Sequence, residues 1–215
     1  MQRTSRKIDL GEMRRSLPPE FSALEAKQWL RGRYLAPLKI LGALEQSGDL
    51  VRFKRGLYGF RQGLEPLAAA ASLHGASYVS FETALAHYGI IPERVPTIMS
   101  VVDGRHAVFD TKVGRFEYYT QARPLFALGM SLVFLDNRSC PIANREKALL
   151  DTLARQQLQA ASLDAMQVLA FVRDALRIDE TTLAKLSIRK LRRLAPLYRN
   201  WGPRRLVEAL DRSRR

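Results

Sequence analysis

Arg52, Lys54 and Arg55 fall within L-V-R-F-K-R-G-L-Y, residues 50–58, and their spacing suits cations carried on a short hairpin. Apolar and basic residues alternate from Leu50 to Lys54, the period of a half-buried strand. Gly56 can turn the chain, and residues 57–60 can run back beside the first strand. Cations so placed grip phosphate oxygens. Just upstream, Arg31, Arg33, Tyr34, Lys39 and Gln46 fall off the apolar face of a helix expected over 35–46. Arg or Lys can pair with guanine and Gln with adenine, while phosphate contact is the simpler role for most of these side chains. The chemistry in view is recognition of a polyanion.

Bond-making chemistry has less to stand on. The chain has no glycine-rich phosphate loop, no H-E-x-x-H and no cysteine pair for zinc. His74, His87 and His106 lack ligand spacing, and the carboxylates form no D-x-D pair for a two-metal site. Ser139-Cys140-Pro141 holds a nucleophile without an identifiable base. Asn144 opens a helix through Arg155 that reads as capped and amphipathic, with Glu146 near its N-terminal dipole and Lys147 and Asp151 at i, i+4. No enzyme, metal or cofactor is expected.

The elements that would position these cations are legible in the caps. A helix over 8–17 is closed by Pro18-Pro19, and Ser22 with Glu25 has capping-box spacing ahead of a helix over 26–30. Arg31-Gly32-Arg33 turns into the third helix, where Pro37 suits the first turn and Leu38, Leu41 and Leu44 form the apolar stripe. Ser47-Gly48-Asp49 ends it. A helix followed at once by a basic hairpin is the arrangement of a winged helix-turn-helix, whose third helix enters the major groove. Beyond it come a helix over 64–73, an N-cap at Ser80, a stop at Gly89, and strands over 97–103, 106–110, 115–121 and 131–135. Helices are expected over 144–155, 162–176, 187–198 and 203–212. The expected fold is α+β: a winged helix over 1–62, then an α+β domain over 63–215 ending in a basic helical tail over 187–215.

Charge is distributed to match. The chain has 215 residues and a net charge of +14, with +7 in residues 1–61, −1 in 62–140, 0 in 141–186 and +8 in 187–215. Clustered cations repel one another, and a polyanion relieves that repulsion by counterion release. In the tail, Ile188, Leu191, Leu194 and Leu197 recur every three residues. Arg189, Lys190, Arg192 and Arg193 take the other faces, which predicts a second basic surface for phosphate, RNA or a partner's nucleic acid. No apolar run approaches the roughly 20 residues that span a bilayer. The basic start, Met1 to Lys7, has no apolar stretch behind it, and Cys140 is the lone cysteine, so a reducing cytoplasm is expected.

Three motifs in register resemble the AbiEi-type antitoxins of type IV toxin–antitoxin (abortive infection) systems. They are G-D-L-V-R-F-K-R-G-L-Y at 48–58, S-Y-V-S-F-E-T-A-L-A-H-Y-G-I-I at 77–91 and I-A-N-R-E-K-A-L-L-D-T-L at 142–153, and the likeness spans roughly residues 20–155. The resemblance implies a winged helix that binds inverted repeats in double-stranded DNA upstream of its own operon and represses it. It also implies neutralisation of a separately encoded nucleotidyltransferase toxin without a stable complex. By position it assigns DNA contact to Arg31, Arg33, Tyr34, Lys39, Arg52, Lys54 and Arg55, and core packing to Ala84, Leu85, Ala148, Leu149 and Leu150. The same pattern is shared by solitary regulators, and a winged helix can also serve as a protein–protein adaptor.

Overall fold

The structure is a computed structural model that describes residues 8–93, 95–121, 123–136, 138–156 and 163–213. The basic start of the chain, the turn at Asn137 and the expected helix start at Ser162 lie outside the described residues.

Asp9 opens α1 (Leu10–Ser16) by accepting from the Glu12 N–H at 2.9 Å. A three-residue strand, β1 (Glu20–Ser22), follows. The Ser22 hydroxyl accepts from the Glu25 N–H at 3.1 Å while the Glu25 carboxylate accepts from the Ser22 N–H at 2.6 Å. This reciprocal cap starts α2 (Ala23–Leu30) three residues earlier than its apolar pattern alone suggests. Pro37 heads α3 (Pro37–Ser47), and Gly48, at φ 84°, ends it in the left-handed conformation that glycine adopts without strain. β2 (Leu50–Lys54) and β3 (Leu57–Phe60) form the hairpin, and β1 joins the far side of β3 to give the order β1-β3-β2. Met13, Phe21, Leu30, Leu41, Leu50 and Phe60 fill the space between this sheet and the helices.

The rest of the chain surrounds a second sheet. After α4 (Pro66–Leu73) come β4 (Ser77–Val79), α5 (Phe81–His87), β5 (Thr97–Val102), β6 (Ala107–Thr111), β7 (Gly114–Thr120), α6 (Arg123–Phe126), β8 (Met130–Leu135) and β9 (Arg138–Ala143). Among the described residues the six strands run β6-β7-β5-β4-β9-β8. β5 pairs with β7, and β4 with β9, in parallel; the other pairs are antiparallel. α7 (Arg145–Arg155), α8 (Ala165–Asp174), α9 (Glu180–Lys185), α10 (Ile188–Leu194) and α11 (Trp201–Arg212) complete a mixed α+β chain with two sheets. The helix expected over 187–198 stops at Leu194 and tightens to a 3-10 turn at Ala195–Leu197. Pro196 has no N–H to continue the α-helical ladder.

β2 belongs to both cores. Leu50 packs with Leu41 and Leu44, whereas Val51 and Phe53, on the other face, are buried with the second sheet, Phe53 edge-on to Phe116 at 6.1 Å. The alternation predicts Val51 and Phe53 on a buried face, and they dock against the larger sheet; Leu50, on the face that keeps Arg52 exposed, is buried against α3 as well. An almost buried ion pair, Arg138 with Glu20, closes the same seam.

Candidate nucleic-acid interface

α3 is held by its inner side. Leu41 and Leu44 are buried and Ile40 packs against them, but Leu38 is 63% exposed, contrary to the expected stripe. Three-residue steps drift around a helix, so Leu38 lies roughly 110° from the centre of the Ile40–Leu41–Leu44 face. It therefore joins the outward surface with Lys39, Ala43 and Gln46, all exposed, and with Leu35 in the preceding turn at 86% exposure.

The seven candidate side chains divide by their surroundings. Arg31 sits in the α2–α3 turn, Lys39 in the first turn of α3, Arg52 mid-strand on β2 and Arg55 in the two-residue hairpin turn. All four are exposed, and among the described residues none has an ion-pair partner. Arg52 shares a face of β2 with Leu50, the face on which α3 packs. Arg33 is taken up locally: its guanidinium pairs with Glu12 at 2.6 Å and lies over the Trp29 ring at 4.8 Å, tying the turn to α1 and α2. Tyr34 is half-buried against the smaller core.

Lys54 departs from the expectation. The pairing of β2 with β3 shifts between Arg52 and Lys54, a bulge that turns Lys54 away from Arg52. Its ammonium donates to the Leu73 carbonyl at the end of α4 and lies 5.4 Å from the Phe109 ring centre. A cation there satisfies an orphan carbonyl at a helix C-terminus, and the hairpin keeps Arg52 and Arg55 as its solvated cations.

The tail divides in the same way. Arg192 donates to both Asp211 oxygens, Nη2 at 2.7 Å and Nε at 3.2 Å to the nearer one, and so joins α10 to α11. Lys190 reaches the buried Glu146 at 3.5 Å. Arg189 and Arg193 are exposed and, among the described residues, unpaired. Leu191 and Leu194 are buried as expected, while Leu197 is 46% exposed because the 3-10 turn swings it outward.

The polar group that sequence reasoning misjudges is inside. Residues 146–153 of α7 are all buried, so this is a central helix, not an amphipathic one. The Lys147 ammonium donates to Asp151 at 2.5 Å, Gln121 at 2.8 Å and Tyr198 at 3.1 Å. Asp151 also accepts from Ser80 at 2.7 Å, Gln121 at 2.9 Å and Tyr198 at 2.6 Å. Ser80 stands at the N-cap of α5 as expected, but its hydroxyl donates to this carboxylate and makes no capping bond. Burial pulls the Lys147 ammonium below its ordinary value, with Asp151 pushing back, and burial together with Asp151 raises the Tyr198 phenol well above its own. All three donors of the ammonium are used, and the carboxylate takes three hydrogen bonds on Oδ1 and the Ser80 hydroxyl on Oδ2. The cluster is a clasp between α7, the end of β7 and the tail. The only sequence signal for it is the i, i+4 spacing of Lys147 and Asp151.

Among the described residues no three His, Cys, Asp or Glu side chains gather as metal ligands. His74 meets the Arg105 carbonyl at 2.8 Å and stacks edge-on against Phe109 and Tyr118. Burial pushes the Cys140 thiol up to about 11, where it is inert as a nucleophile. No helix among the described residues is long and apolar enough to cross a membrane. No family model matches this chain, and no curated protein does.

Proposed function

We propose that the chain is a sequence-specific, double-stranded-DNA-binding repressor whose N-terminal residues form a winged helix. The observation that carries this reading is the order α1-β1-α2-α3-β2-β3 with the sheet order β1-β3-β2, combined with exposed cations on the α2–α3 turn, α3 and the hairpin that are unpaired among the described residues. α3 leads with a solvated face bearing Lys39, Ala43 and Gln46, small or hydrogen-bonding groups that suit close approach to base edges. Arg31, Arg52 and Arg55 flank it as phosphate contacts. Repression of its own operon through inverted repeats, and antitoxin action against a nucleotidyltransferase, rest on the three sequence motifs and their resemblance. A solitary regulator would share the DNA contacts. The exposed Leu24, Leu35 and Leu38 favour the adaptor as a second reading, since a docking helix presents apolar anchors.

Fluorescence anisotropy with the chain's own upstream region against scrambled duplex, across a salt series, separates these readings. The repressor is expected to prefer its operator by roughly 10³-fold or more. The triple variant Arg31→Ala, Lys39→Ala, Arg52→Ala should flatten the salt dependence by about 0.9 in slope for each phosphate it no longer neutralises. Lys54→Ala should leave that slope unchanged. Weak, equal binding to both duplexes would hand the lead to the adaptor.

A further inference from the structure

Gly42 lies at the middle of α3, where a helix gains nothing from a glycine. Glycine weakens a helix interior relative to alanine, through backbone entropy. A Cβ at Gly42 would meet nothing within 4 Å beyond its own helix backbone, so no packing inside the molecule calls for the missing side chain. Gly42 falls on one line with the exposed Leu38 and Gln46, four residues to either side, and opposite the buried Leu44. Leu35 is equally unexplained by the fold. An apolar residue just before an N-cap usually packs against the fourth residue of the helix, here Ile40. Ile40 packs inward without it, and Leu35, at 86%, is the most exposed large apolar side chain among the described residues.

We infer that, on the DNA-binding reading above, α3 reads bases by apolar contact as well as by hydrogen bonding. Leu35 and Leu38 meet thymine methyl groups, Gln46 pairs with an adenine, and Gly42 is the point of closest approach to the major groove. The groove curls round the duplex, so a straight helix comes nearest to it at one place. A side chain missing there lets those on either side reach base edges. Leu38 and Gln46 are about 12 Å apart along the helix axis, or roughly three to four base-pair steps, which sets the expected spacing of the thymine and adenine they read. Charge decides what lies over this strip. Arg31, Lys39, Arg52 and Arg55 are exposed and, among the described residues, unpaired, while the one carboxylate of α3, Glu45, is half-buried at the edge of the strip. An apolar partner helix would desolvate those cations with nothing to offset them, whereas a duplex supplies phosphates for the cations and methyl groups for the leucines.

The test uses the full chain and the duplex from its own upstream region that it selects over scrambled DNA. Each thymine is replaced in turn by deoxyuridine, which removes one methyl and keeps the base pairing. Loss of a contacted methyl should weaken binding about fourfold. L38A should weaken binding to the parent duplex by a similar factor and become indifferent to deoxyuridine at one position. G42A should raise the melting temperature of the free chain yet weaken selective binding about tenfold or more, opposite signs that misfolding cannot produce. A flat deoxyuridine scan on a selected duplex, or G42A binding as tightly as the parent chain, would overturn this assignment and leave the repressor standing. Failure to select any duplex would remove the repressor and this assignment with it.

Discussion

Lys147 is fully buried, yet it lacks none of its partners. A buried ammonium is tolerable only when its charge is matched and each N–H has an acceptor, and Asp151, Gln121 and Tyr198 meet both conditions. Removing one partner strands the other in low dielectric. Lys147→Met is therefore expected to destabilise the fold by about 3–5 kcal/mol, whereas Lys147→Met combined with Asp151→Leu should recover much of that loss. Urea denaturation of the two variants beside the parent chain checks the non-additivity. An additive double variant would mean the clasp contributes as separate contacts.

At the scale of elements, local chemistry predicts starts and stops well. The caps at Ser22, Asn144 and Gly48 and the hairpin turn at Gly56 all act where their residue types suggest, because capping depends on a few neighbouring atoms. β1 and β4 have three residues each, and β9 contains Pro141, so none carries a strand pattern long enough to read. α9, six residues capped by Asp179, is too short to show a period. α7 defeats an amphipathic reading because a helix buried on all sides can keep charged residues when they pair with one another. In the tail, α10 offers Arg189 and Arg193 to solvent, and these two test the second basic surface without breaking the Arg192–Asp211 tie. R189E with R193E should weaken operator binding and flatten the salt slope by about 0.9 per contact if the tail touches phosphate. Unchanged affinity in the same titration would confine DNA contact to the N-terminal end.

Across the whole molecule, the sequence suggests two domains meeting near residue 62. The two apolar clusters are there, but β2 supplies Leu50 to one and Val51 and Phe53 to the other. Which cations are free cannot be read from period either, since the β2 bulge and the partners Leu73, Glu12 and Asp211 lie far away along the chain or in the turn geometry. A shared strand makes unfolding cooperative. Calorimetry is expected to give one transition. Phe53→Ala, at a cost of about 3–5 kcal/mol, should lower its midpoint without splitting it. Two resolved transitions in the parent chain would mean the seam is looser than its burial implies.

The seam also bears on turnover in the cell. With one strand common to both halves, a protease that unfolds either half is expected to unfold the other with it. On the proposed function, a single act of degradation would lift repression of the operon and withdraw protection against its toxin together.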